Sequence, residues 1–204
     1  MNDDNWELIN GPPAHHIEGL NAINTVNVIE ALITLFIGTK APGVAIPLMP
    51  NERALKELHR TGTIFLLVQP GEYRDCGAVV YQPPPHTEVV RLMNEMFVEL
   101  QTIWNAGDAL DAAAFALWRI NWIHPFKNGN GRTARSFAYC CLCARLGVVL
   151  PGAPTITDQI MTTRQDCEAA IRVGDAAEVN GGRDLSAMRA YLDRLLQVQM
   201  ASVS

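Results

Sequence analysis

His124-Pro-Phe-Lys-Asn-Gly-Asn-Gly-Arg-Thr-Ala-Arg135 is the stretch on which the reading of this chain turns. A helical pattern of apolar residues runs from about Asp111 to Ile123 and ends where Pro125 would break a backbone hydrogen bond. His124 is thereby held at the rim of a loop. Gly129 and Gly131 admit left-handed or tightly turned backbone, and a second helical pattern starts at about Asn130 and stops at Gly147. The unpaired N–H groups and positive dipole end of that helix meet the glycine turn, which makes an anion site. Arg132 and Arg135 lie three residues apart, on one face, one turn in. Two guanidinium forks at a glycine-rich helix start suit a polyphosphate better than a single carboxylate. Asn130 adds an amide donor, and His124, which titrates near neutrality, is the general-base candidate.

Outward from this loop the pattern is mainly α. Helices are expected at about Asn21–Phe36, Arg53–His59, Thr87–Trp104, 163–173 and 184–197, the last with Asp184 as its cap. Thr63-Ile-Phe-Leu-Leu-Val68 and Ala78-Val-Val-Tyr81 are β-prone and flank a turn-rich segment, so one β-hairpin is expected there. Residues 1–13 read as an N-terminal arm, 14–197 as a single domain and 198–204 as a C-terminal tail. Cys140, Cys141 and Cys143 read as packing, and His15-His16 as surface residues that lack a third converging ligand.

With 204 residues and 49% apolar composition, the chain can bury one sizeable core. A formal net charge of −5 argues against a broad nucleic-acid surface. The N-terminal residues lack a basic segment followed by an apolar run, and Gly, Pro or polar residues interrupt the longest apolar stretches. The expectation is a cytoplasmic protein bound to neither nucleic acid nor membrane, with secretion as an effector left open. Five cysteines in no zinc-like spacing read as reduced thiols.

The loop resembles the Fic family motif, His-Pro-Phe-x-(Asp/Glu)-Gly-Asn-(Gly/Lys)-Arg-x-x-Arg. Leu58-His59-Arg60, Gly71-Glu-Tyr-Arg74 and Pro83-Pro-Pro85 before a Leu92-Met93 helix resemble the family's order over roughly residues 14–195. The resemblance implies a helical bundle core with one β-hairpin flap. It also implies a protein adenylyltransferase that moves AMP from ATP, with Mg²⁺, to a protein Ser, Thr or Tyr hydroxyl. On that basis His124 is the base, and Gly129, Asn130 and Gly131 hold the α- and β-phosphates. Arg132 meets the β/γ-phosphates and Arg135 the γ-phosphate. A target protein docks on the flap around Gly71–Val80 by strand addition. Homodimers are common in the family.

Asn128 stands where the family usually carries the acid that helps hold Mg²⁺, so weaker metal binding or a changed donor is expected. Ile17-Glu18-Gly19 resembles the family's N-terminal inhibitory helix, although Ala14 replaces its Ser/Thr. The resemblance pairs Glu18 with Arg135, blocking the γ-phosphate. Two alternatives stay open: removal of AMP or use of another phosphate-linked donor, and a catalytically weak binding module.

Overall fold

The computed structural model describes residues 6–39, 47–78 and 83–203. These form α1 (Gly11–Gly38), α2 (Glu52–Thr63), a 3₁₀ turn at His86–Glu88, α3 (Val89–Ala106), α4 (Ala109–Ile123), α5 (Asn130–Leu146), α6 (Ile156–Thr162), α7 (Arg164–Val179) and α8 (Ser186–Ala201).

The antiparallel pair α4 and α5 forms the centre. Both are buried almost all round, as expected of helices with apolar or small residues on every face. Ala112, Ala113, Ala114 and Ala116 let neighbours approach α4, while Phe115 and Trp118 fill the space around it. Asp108 and Asp111 cap its start reciprocally through backbone hydrogen bonds of 2.9 and 3.2 Å. Gly147 ends α5 in left-handed backbone at φ 75°, with its N–H on the Cys143 carbonyl at 2.9 Å, so the expected stop holds. Cys140, Cys141 and Cys143 are buried in α5 as packing groups, and burial pushes all three thiols up, Cys143 to about 11.

α1 and α2 lie on one side of α5. α1 buries Asn21, Thr25, Ile29, Ile33 and Phe36, a single helical stripe. It starts ten residues before the expected Asn21, because Pro12 and Pro13 fit a first turn whose N–H groups have no helical partner. By length and composition α1 could cross a membrane. Here it packs into the bundle, with the Asn21 amide donating to the Ile64 carbonyl at 2.9 Å.

On the opposite side α3, α7 and α8 pack on α4. The Trp118 indole donates to Asp175 at 2.9 Å, and Arg119, buried over Trp122, pairs with Glu178 at 2.6 Å. The N-cap of α8 is Leu185 and not the expected Asp184, which stands one residue earlier and accepts from the Ser186 N–H at 2.9 Å. α8 runs on through the expected tail to Ala201. Gln199 there is fully buried, donating to Tyr139 and accepting from the Ile156 N–H.

The β-hairpin needs correction. Among the described residues no strand forms at Thr63–Val68. Thr63 closes α2, and its carbonyl accepts from the Leu66 and Leu67 N–H groups in a turn that sets Phe65 at φ 64°. The adjacent residues Leu66 and Leu67 are both buried while Phe65 and Val68 face out, an arrangement that strand alternation forbids. A short apolar run does not by itself distinguish these outcomes. The only pairing among the described residues is an isolated antiparallel bridge, Glu7 to Leu67, with Leu8 N–H on Leu66 and Val68 N–H on Trp6. Part of the expected arm, Trp6–Leu8, is thus tied to the turn. Most of the second expected arm, residues 79–81, lies outside the described residues.

Candidate phosphate-binding site

His124 terminates α4 in left-handed backbone at φ 53° and ψ 58°, a conformation uncommon for a residue with a side chain and frequent at functional sites. Arg74 holds it there. The buried guanidinium donates to the His124 carbonyl at 2.7 Å, to Cys76 at 3.1 Å and to Pro84 at 2.5 Å, and the Arg74 N–H donates to Pro125 at 2.8 Å. One side chain therefore ties the segment before α3 to the end of α4. Burial lowers the His124 pKa, a hydrogen bond with the Asn121 backbone partly opposes this, and the Arg74 charge lowers it further. The ring is neutral at neutral pH. A neutral imidazole carries one donor and one acceptor nitrogen, which is what a general base requires.

The loop beyond is fastened from two sides. Asn130 is buried, and its amide donates to the Phe126 carbonyl and accepts from the Phe126 N–H, each at 2.8 Å. Its side chain shapes the loop from within, so what Asn130 can offer a phosphate is its backbone N–H. His59, from α2, stacks on Phe126 with ring centroids 3.8 Å apart. Its Nδ1 accepts from the Gly71 N–H at 2.8 Å, which leaves Nε2 to donate to the Asn128 carbonyl at 2.9 Å. Burial pushes its pKa down to about 4. Gly129 sits at φ 77°, where a Cβ would lie 2.9 Å from the Thr63 methyl. Backbone sign and close approach both require glycine there. Lys127 pairs with Asp75 at 2.8 Å, a second tie to the segment after Gly71.

A cavity of about 360 Å³ opens at this turn. His124, Gly129, Asn130, Gly131, Arg132 and Arg135 all line it, so the expected residues converge. The first N–H groups of α5 face no helical partner, as at any helix start. Among the described residues Arg135 forms no salt bridge. Burial, with the neighbouring Arg132 and Arg164 charges, lowers its pKa.

Glu18 does not pair with Arg135. Its Oε1 accepts from Arg132 at 3.3 Å, and the Arg132 guanidinium also donates to the Gly62 carbonyl at 2.8 Å. The register of α1 against α5 brings Glu18 to the first arginine of the pair, and no local sequence pattern reports that register.

The motif-derived expectation of Mg²⁺ meets a poor donor set. The Asn128 side-chain oxygen turns back to accept from the Gly129 N–H at 2.6 Å. Glu168, the one acid among the described residues that line the cavity, is paired with Arg164 at 2.9 Å. Among the described residues no group of three or more His, Cys, Asp or Glu converges. These residues do not fit a magnesium ion held by protein ligands.

Three contributors were missed from sequence: His59 as a loop fastener, Arg74 as the clamp on His124, and Arg164 of α7 as a third arginine at the cavity. The first two stood in segments noted only for resemblance; Arg164 carried no local signal.

Residues 50–142 match the model of the Fic/DOC family. No curated protein matches the sequence. Among solved structures, a Fic family protein from Desulfovibrio desulfuricans G20 is similar at TM-score 0.69 and 20% identity, covering 96% of this chain and 55% of that one. A Fic domain containing signaling protein from Bacteroides thetaiotaomicron VPI-5482 follows at TM-score 0.61 and 17% identity, covering 88% and 69%. Fic-1 from C. elegans is similar at TM-score 0.55 and 22% identity, covering 75% and 42%. At these identities the likeness is one of fold, and the chain spans about half the length of the Desulfovibrio protein.

Proposed function

We propose, of a chain that belongs to the Fic/DOC family through residues 50–142, that it transfers AMP from ATP to a Ser, Thr or Tyr hydroxyl of a target protein. The observation that carries this reading is His124 at the rim of the same cavity that Gly129, Gly131, Arg132 and Arg135 line. The target hydroxyl gives its proton to the ring of His124 as its oxygen bonds to the α-phosphorus. The bond from that phosphorus to the bridging oxygen breaks, and pyrophosphate leaves with the electron pair. The N–H groups at the start of α5 face the phosphates, and Arg132 and Arg135 neutralise the charge gathering on the leaving group.

The target segment docks beside the stretch from Gly71, which Arg74 and the Lys127–Asp75 pair hold against the loop. The Glu18–Arg132 pair acts as a brake: while Glu18 occupies Arg132, one of the two motif guanidiniums is drawn off the phosphates. The turned-back Asn128 favours a second reading, in which the same attack uses another phosphate-linked donor.

Incubation of the full chain with α-labelled and γ-labelled ATP, alone and as the Glu18→Gly variant, separates these readings. Protein-bound label from the α position only is expected, stronger in the variant. Label from the γ position would mean phosphoryl transfer instead, and no label in either protein would defeat the proposal.

A further inference from the structure

We infer that the cavity at the start of α5 binds a polyphosphate without a protein-held divalent cation, with Arg164 of α7 as a third phosphate-binding group beside Arg132 and Arg135. This deepens the proposed function and rests on it for the nucleotide, though not for the polyphosphate.

Three features carry it. Among the described residues the lining of the cavity is cationic: three arginines against Glu168 as the one acid. Its acid is already engaged, because Glu168 holds Arg164 at 2.9 Å on the adjacent turn of α7. That pair is exposed, 80% at the arginine, so the two groups interact weakly and Arg164 can exchange a solvated carboxylate for a phosphate held inside the cavity. Lastly, the residue at the metal-binding position of the motif has withdrawn. The Asn128 oxygen is tied to the Gly129 N–H at 2.6 Å, and an amide in any case is a poorer magnesium ligand than a carboxylate.

A polyphosphate chain needs its charge offset along its length. In this cavity Arg132 and Arg135 stand on one face of α5, and Arg164 reaches in from another helix at the start of α7. Burial is the main influence that lowers the Arg135 pKa, and the charges of Arg132 and Arg164 add to it, as cations close to one another do. A nucleoside triphosphate and a free inorganic polyphosphate share the chemistry that this arrangement recognises.

Calorimetric titration of the full chain with ATP, AMP and inorganic tripolyphosphate, in EDTA and then in Mg²⁺, tests the inference. ATP and tripolyphosphate are expected to bind in EDTA at least as tightly as in Mg²⁺. Arg164→Ala should weaken both by about fivefold, the loss of one charge-assisted contact at a partly open position, and leave AMP unchanged. Arg164 is too exposed for its truncation to threaten the fold. Asn128→Asp should weaken binding in EDTA and make it depend on Mg²⁺. Binding of both ligands only with Mg²⁺, binding of neither, or indifference to Arg164→Ala overturns the inference. If tripolyphosphate binds through Arg164 and ATP does not, the inference stands and the transferase reading falls. If ATP binds this way and protein never takes up AMP, the transferase reading falls alone.

Discussion

The buried histidine that fastens the loop makes the stability of this protein depend on pH in a calculable way. His59 is 1% exposed and its pKa is pushed from the ordinary 6.5 down to about 4, chiefly by burial. The native ring must stay neutral, because Nδ1 accepts the Gly71 N–H and a protonated ring has no acceptor. Well above pH 6.5 neither the native nor the unfolded histidine is protonated, and the full stability is present. As pH falls from there, the unfolded chain takes up a proton that the native chain refuses, so stability declines until the native pKa near 4 is reached. At about 1.4 kcal/mol per pKa unit the loss amounts to roughly 3 kcal/mol, a large part of the roughly 5–15 kcal/mol typical of a domain. Urea unfolding from about pH 7 down to about pH 4 measures it. His59→Gln should be less stable at neutral pH, yet its stability should fall less with acid, by about that same 3 kcal/mol. Parallel stability profiles for the two proteins would refute the assignment of this loss to His59, since every other titrating group is common to both.

Three further outcomes follow from contacts at the site. Arg74→Gln should raise the His124 pKa, because the Arg74 charge is one of the influences that hold it down; NMR titration of the ring protons measures this, and an unmoved midpoint counts against the clamp. Gly129→Ala sets a methyl 2.9 Å from the Thr63 side chain at φ 77° and should destabilise by about 1–3 kcal/mol; an unchanged urea midpoint would show that the turn can relax. Glu18→Gln should free Arg132 and tighten ATP binding by up to about fivefold, the ceiling for an ion pair this exposed; an identical binding curve would remove Glu18 from any regulatory role.

How much of the site could be read in advance depended on how local its physics is. Pro125 breaking a helix, Gly129 turning left-handed, Gly147 ending α5 and two arginines one turn apart are properties of a few consecutive residues, and they appear as expected. Asn130 was legible as a loop residue but not in its role, because whether an amide faces a ligand or its own backbone is decided by how tightly the loop closes on Phe126. Glu18 and Arg132 are 114 positions apart, and the choice between Arg132 and Arg135 rests on the register of two helices. Arg164 belongs to a helix whose own pattern says only that it is amphipathic. The hairpin failed at an apolar run whose two central leucines both turn inward, an outcome decided by the core that receives them.

The inward amide of Asn130 also bears on how such a chain would change over generations. A lineage that stopped using the chemistry would no longer need His124 as a base. It would not be free to lose Asn130, because both polar groups of Phe126 would then be left buried without partners, at about 1–3 kcal/mol apiece. Asparagine at this position should therefore outlast the histidine in relatives that have fallen silent. The first sign of lost catalysis in such a lineage would be substitution at position 124 above an intact turn.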